Sequence, residues 1–250
     1  MNIDFTGKTA LITGATRGIG KSIADCFSEA GASLILTGTN KVEIDKLNAL
    51  NEKNGIRNIQ YLQADFSDKE STALFLNQLN EFERIDVCIN NAGVNKIDDF
   101  ISTTDDDFEW IHAINLKVPY QILKVVGPKM ISNNYGRIVN VASIWSVITR
   151  PGRSMYTSSK NALVGLTKNL AVEWAAHNVL VNAVSPGFTL TELTKTTNTE
   201  EQLKTLESII PAKRMAEPIE MARVIAFLCS DLNTYLTGQN ITIDGGYTNV

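Results

Sequence analysis

The chain has 250 residues with a formal net charge of −4, and 44% of it is hydrophobic against 20% charged. That balance suits one large globular domain with a sizeable core and excludes the basic patch through which nucleic acid or an anionic membrane is usually recognised. No apolar run approaches the ~20 residues that span a bilayer, and the N-terminal MNIDFTGKTALITG lacks a basic segment followed by an apolar one, so neither a membrane span nor a secretory signal is expected.

The first expected strand, 9–13 (TALIT), runs into the turn Gly14-Ala15-Thr16-Arg17-Gly18-Ile19-Gly20 and then a helix-like stretch over 18–30. Glycines at such a junction let the chain turn sharply and bring backbone N–H groups close to a pyrophosphate at the helix N-terminus. Their spacing, G-x-x-x-G-x-G, departs from the usual G-x-G-x-x-G dinucleotide fingerprint. A second strand, 33–37 (SLILT), ends at Gly38-Thr39-Asn40, where an acid would hold the ribose 2′-hydroxyl of NAD. The first acid, Glu43, already lies inside the next helix-like stretch, 42–54. With no carboxylate to repel a 2′-phosphate and Arg17 in the turn to bind one, NADP(H) is favoured over NAD(H).

A third strand, 59–63 (IQYLQ), leads to Ala64-Asp65-Phe66, where Asp65 is placed either to accept from an adenine amino group or to cap the helix-like stretch 69–82. The fourth, 87–90 (VCIN), ends in Asn90-Asn91-Ala92-Gly93, which reads either as a bridge across the sheet that leaves backbone open to a ribose or as a plain turn. The long helix-like stretch 106–132 carries Asn115 in its middle, where Asn is not favoured; it is an exposed amide or the holder of a water. The fifth strand, 136–141 (GRIVNV), leads to Ser143, and a helix over 157–177 follows. Tyr156 and Lys160, at i and i+4, share one helix face. An adjacent ammonium favours the phenolate and lowers the tyrosine pKa from its usual ~10, which suits Tyr156 to exchange a proton with an oxygen held by Ser143. The remaining strands are expected at 179–184 and 240–243, with a helix over 218–228 between them. The Thr-, Lys- and Glu-rich segment 188–214 reads as a substrate lid or a surface insertion.

Continuous apolar strands alternating with helices predict a single α/β domain over 1–250, a doubly wound parallel sheet of about seven strands flanked by helices, with ligands at the carboxyl edge. Cys26, Cys88 and Cys229 have no CxxC or zinc spacing and read as small apolar side chains in a reducing compartment, the cytoplasm. His112 and His177 lack partners at metal spacing, so no metal site is expected.

The set TGATRGIG, NNAG, Asn115, Ser143, YTSSK, Pro186-Gly187 and Asp244-Gly245-Gly246, in this order, closely resembles the short-chain dehydrogenase/reductase family over essentially the whole chain. The resemblance implies a single Rossmann-type domain and a catalytic tetrad: Asn115 positions a relay water, Ser143 orients the substrate oxygen, Tyr156 is the general acid/base, and Lys160 tunes the tyrosine and binds the nicotinamide ribose. It implies that the cofactor lies along Gly14, Thr16, Arg17, Gly18, Ile19, Gly20, Thr39, Asn40, Asp65, Phe66, Asn91, Ala92 and Gly93, with Pro186, Gly187 and Thr191 at the nicotinamide. NADP(H)-preferring members often carry Arg where Thr39 stands, a departure in this chain.

The C-terminal tail is most similar to 3-oxoacyl-[acyl-carrier-protein] reductases and to related sugar and polyol dehydrogenases. Trp145, Arg150 and Arg153 are candidates for the substrate wall, and two arginines so near Tyr156 point to an anionic or polar carbonyl/alcohol substrate such as a sugar acid or activated sugar. A non-catalytic dinucleotide sensor is the competing reading, which the intact tetrad disfavours. Apolar residues on more than one face of the 157–177 helix (Leu163, Val164, Leu166, Leu170, Val172, Trp174) suggest a homo-oligomer, a tetramer by resemblance.

Overall fold

The computed structural model describes residues 3–250, apart from the side chains at 193 and 197. Met1 and Asn2, the start of the expected domain, lie outside the described residues. Along the chain come β1 (Thr9–Ile12), α1 (Gly18–Glu29), β2 (Ser33–Gly38), α2 (Lys41–Lys53), β3 (Ile59–Gln63), α3 (Lys69–Glu81) and β4 (Val87–Asn90). They are followed by α4 (Asp105–His112), α5 (Val118–Ser132), β5 (Gly136–Val141), α6 (Ser154–Trp174), β6 (Val179–Pro186), α7 (Glu192–Thr197), α8 (Glu200–Ile209), α9 (Pro218–Cys229) and β7 (Asn240–Ile243).

The strands form one parallel sheet in the order β3-β2-β1-β4-β5-β6-β7. Chain order reverses between β1 and β4, and the crevice beyond their carboxyl ends is where ligands of such sheets bind. The apolar runs are continuous because both faces are covered. Ala10, Ile12, Leu34, Leu36, Val87 and Ile89 pack with residues of α1 and α9, whereas Leu11, Ile35 and Cys88 pack on the opposite side with α3, α5 and α6. This is the two-residue alternation of a strand with each side equally dry.

One expectation is corrected by the structure. The helix-like stretch 106–132 is interrupted by a π-type turn at Ala113–Lys117, between α4 and α5. Pro119, at the start of α5, has no N–H to give to the carbonyl of Asn115 four residues earlier, and the wider turn absorbs that missing bond. The segment 188–214, read as a substrate lid or a surface insertion, contains two helices, α7 and α8. Thr191 caps α7 by accepting from the Thr194 N–H, and Thr199 with Gln202 forms a capping box on α8. Its two ends are tied together, since the Leu190 N–H donates to the Ala216 carbonyl and the Ala216 N–H donates to the Phe188 carbonyl.

A buried polar chain joins the sheet to α6. Asn90 Nδ2 donates to Asn140 Oδ1 at 2.8 Å, Asn140 Nδ2 to Thr167 Oγ1 at 2.9 Å, and Thr167 Oγ1 to the Leu163 carbonyl at 2.8 Å. On the same helix, Leu163, Val164 and Leu170 are buried, and Leu166 and Trp174 pack partly buried against the core. The expected surplus of apolar surface on α6 therefore reduces to Val172, 83% exposed. Among the described residues no helix is long and apolar enough to cross a membrane.

Candidate active site

The glycine turn sits on the carboxyl ends of β1 and β2. Gly14 and Gly18 adopt positive φ, +63° and +58°, which favours glycine. A Cβ at Gly20 would lie 2.1 Å from the Gly14 carbonyl oxygen and 2.5 Å from Asn91 Nδ2, so the turn closes only around a hydrogen at that position. Arg17 occupies the N-cap of α1 without a side-chain cap bond, and no acid lies in the first turn. The leading N–H groups of α1 thus have no side-chain acceptor there, and the close backbone approach fits a pyrophosphate.

The surroundings assign each expected cofactor residue a place. Thr16 lies over the end of β2, its Cγ2 only 2.5 Å from where a Gly38 Cβ would stand, and Ile19 packs against the core. Arg17 is exposed and makes no ion pair among the described residues, whereas the nearby Lys21 and Lys41 are paired with Asp25 and Asp45. Thr39 and Asn40 are exposed at the end of β2, where Asn40 caps α2 by accepting from the Glu43 N–H at 3.2 Å.

Three side chains are used differently from the expectation. Asp65 Oδ1 accepts from the Ser67 N–H and hydroxyl, and the cap of α3 is Asp68, which accepts from the Ser71 N–H. The Phe66 ring is buried in the core, edge-on to Phe75 at 5.5 Å. The Asn91 amide braces the glycine turn, donating to the Thr13 and Gly14 carbonyls at 2.9 and 3.0 Å. Thr13 was missed by sequence reasoning: its hydroxyl accepts from the Asn91 and Ala92 N–H groups at 3.0 Å and so locks β4 to the turn.

Pro186 ends β6, and a Cβ at Gly187 would meet Asp244 Cα at 2.7 Å. Thr191 reaches the glycine turn, its Cγ2 3.5 Å from a Cβ position on Gly18. Between α1, the segment around Thr191 and the start of α9 lies a cleft of about 590 Å³ that includes Thr16, Arg17, Gly18 and Thr191.

Asn115, Ser143, Tyr156 and Lys160 converge beyond β4 and β5. Asn115 is buried, not an exposed amide. Its Oδ1 accepts from the Val94 N–H at 2.9 Å, and its Nδ2 donates to the Val94 carbonyl and to Ser159 Oγ at 2.9 and 3.1 Å. A Cβ placed on Gly93 would stand 3.3 Å from both Asn115 Oδ1 and Lys160 Nζ, so the absence of a side chain there keeps the space between them open. Lys160 Nζ donates to the Val141 carbonyl at 2.8 Å, and burial pushes its pKa down to about 8.

Burial raises the Tyr156 pKa from its ordinary value, opposed by hydrogen bonding with Ser143 and by the charge of Arg153. Two cations lie near the phenol: the charge of Arg153 favours the phenolate, and Lys160 Nζ sits over the Tyr156 ring, 5.6 Å from its centre. Ser143 Oγ accepts from the Trp145 N–H at 3.3 Å. Trp145 is buried edge-on to Phe188 at 6.5 Å, and Phe188 in turn meets Tyr247 at 5.1 Å, a cluster that sequence reasoning did not find. The exposed Arg150 and buried Arg153 both lie over the Trp145 ring, at 5.1 and 5.3 Å.

Among the described residues no three His, Cys, Asp or Glu side chains are grouped to hold a metal ion. The arrangement offers a proton donor, an oxygen-holding hydroxyl and a low-pKa amine beside a glycine-rich phosphate cradle.

A family model described as enoyl-(acyl carrier protein) reductase matches residues 14–248. Oxidoreductase UcpA of Escherichia coli is 40% identical over 253 residues, covering 98% of this chain and 95% of that protein. The 3-oxoacyl-[acyl-carrier-protein] reductase FabG of Aquifex aeolicus is 36% identical, covering 98% and 99%. A putative NAD(P)-dependent gluconate 5-dehydrogenase from Beutenbergia cavernae, solved with NADP bound, superimposes with a TM-score of 0.90 at 32% identity over 99% of each chain.

Proposed function

We propose, from the premise that this chain belongs to the short-chain dehydrogenase/reductase family, that it is a cytoplasmic NADP(H)-dependent oxidoreductase of small carbonyl/alcohol substrates. The nicotinamide cofactor supplies or accepts hydride at the substrate carbon. The chain's own residues handle the oxygen: Ser143 holds it, and Tyr156 gives or takes its proton. Lys160, with a pKa of about 8, exchanges protons near neutral pH with a relay water that Asn115 would position in the space left by Gly93. Residues of the glycine turn, with Arg17 free of ion pairs among the described residues, support a 2′-phosphorylated cofactor.

The observation that carries this reading is the convergence of Ser143, Tyr156, Lys160 and Asn115 at the sheet edge that also bears the glycine turn. Two substrate readings are supported by relatives: a 3-oxoacyl thioester, from the 36%-identical reductases, and a sugar acid, from the gluconate dehydrogenases. Exposed Phe100, Ile101, Phe108 and Trp110 support self-association, and sedimentation of a monomer alone would refute it.

The test is Tyr156→Phe assayed by NADPH oxidation over a carbonyl panel. Turnover is expected to fall at least about a hundredfold, with NADPH affinity changed less than about threefold. Retained turnover would overturn the proton-donor assignment.

A further inference from the structure

We propose that Arg153 and Arg150, laid against the face of Trp145, bind a carboxylate that the substrate carries close to the carbon served by Ser143 and Tyr156. This rests on the oxidoreductase reading above and names the substrate class of that site.

Arg153 is 8% exposed, yet its guanidinium makes no hydrogen bond or ion pair among the described residues, and its Nε is buried without a partner. Buried polar groups in folded proteins are nearly always hydrogen-bonded, and a buried charge without a counter-charge is costly. The other such nitrogen, Arg137 Nε, belongs to a guanidinium already anchored through Nη1 to the Gly136 and Asn178 carbonyls. Arg153 has no such anchor; its neighbour is a second cation. Arg150 lies against the same indole ring, and burial, then this like charge, lowers the Arg153 pKa.

Two acids on the facing segment are engaged elsewhere. Asp98, whose N–H donates to the Gly152 carbonyl, lies 3.8 Å from Lys96, and Asp107 is paired with the same lysine at 2.6 Å. A carboxylate ligand would engage both planar forks and replace the missing partner.

The pair is also close to the chemistry. Arg153 acts on Tyr156 through its charge, and the N–H of Trp145 donates to Ser143 Oγ. Its place depends on Gly152, whose φ of +77° reverses the chain and whose missing Cβ leaves 3.0 Å to Ile97 Cγ2. A 3-oxoacyl thioester presents only neutral carbonyls beside its reacting carbon and leaves Arg153 unpaired. A keto or hydroxy acid brings a carboxylate within a few bonds of that carbon.

The test uses the full chain at constant ionic strength, with tartrate as the probe anion titrated calorimetrically and NADPH binding measured in parallel. Wild-type protein is expected to bind tartrate saturably, and Arg153→Gln to weaken it about ten- to hundredfold, the loss of a charge-assisted contact. NADPH reduction of 5-keto-gluconate is expected to exceed that of the neutral 5-keto-fructose at least about tenfold in kcat/KM, a preference that Arg153→Gln removes. Should Arg153→Gln fail to fold, judged by melting and NADPH binding, the exposed Arg150→Gln must weaken tartrate severalfold. Absent tartrate binding, or binding indifferent to both substitutions, overturns the proposal. Tartrate held through Arg153 with no carbonyl reduced would sink the oxidoreductase reading and leave the carboxylate site standing.

Discussion

Replacing Lys160 by Met should make the protein more stable at pH 7 and leave no gain at pH 10.5. Lys160 is 3% exposed and burial holds its pKa at about 8, against about 10.4 for a free lysine. Between those values the unfolded chain binds a proton that the folded chain has released, so stability rises with pH across that window. Below pH 8 the folded protein bears the full cost of the buried ammonium. At about 1.4 kcal/mol for each pH unit, that cost is about 3 kcal/mol. The substitution also leaves the Val141 carbonyl without its donor, a pH-independent loss of about 1 kcal/mol.

The net expectation is a gain of about 2 kcal/mol at pH 7 that shrinks above pH 8 and reverses to a loss of about 1 kcal/mol near pH 10.5. Urea denaturation of both proteins at several pH values reads it directly. The raised pKa values of Cys88, Cys229 and Tyr135 act on both proteins alike and cancel in the difference. A difference independent of pH would refute the argument.

Gly20→Ala forces a Cβ against the Gly14 carbonyl, and should weaken NADPH binding at least about tenfold in fluorescence titration while costing about 1–3 kcal/mol of stability; unchanged affinity would count against the cradle. Asn115→Leu removes three hydrogen bonds and strands both polar groups of Val94, an expected loss of about 3 kcal/mol in denaturation, and a loss below about 1 kcal/mol would count against it. Cys88 and Cys229 are buried with their thiols held protonated, and a disulfide reagent should label them only as the protein unfolds. Fast labelling of all three cysteines in the native protein would contradict that.

The sheet was legible because its signals are local. Strands at Ile59–Gln63, Val87–Asn90, Gly136–Val141 and Asn240–Ile243 have the bounds their apolar runs predict, and β6 only runs on to Pro186, which pairs with Ile243. The convergence at the carboxyl edge followed from the same alternation. What the sequence hid depends on groups distant in the chain. Asn115 stood out as misplaced in a helix, but its partner Val94 is visible only once the π-type turn forms. Lys160 shares a helix face with Tyr156 as the spacing says, but its bond to the Val141 carbonyl and the charge of Arg153 near the phenol come from groups that the spacing does not name. The helices of 188–214 did have a local signal, the Thr199–Gln202 capping box, which composition alone obscured.

The chain Asn90–Asn140–Thr167–Leu163 has a consequence for precision. Apolar side chains tolerate sliding, and α6 offers the sheet a surface of interchangeable small and branched residues. A slip of one turn along the axis would carry Tyr156 about 5.4 Å from Ser143 while costing little in buried hydrocarbon. It would also break the bond from Asn140 Nδ2 to Thr167 Oγ1 and leave that amide donor unpaired in the dry interior, at a cost of about 1–3 kcal/mol. These two side chains act as an index pin: they set the helix to one notch, and the distance from phenol to substrate oxygen is gauged from there.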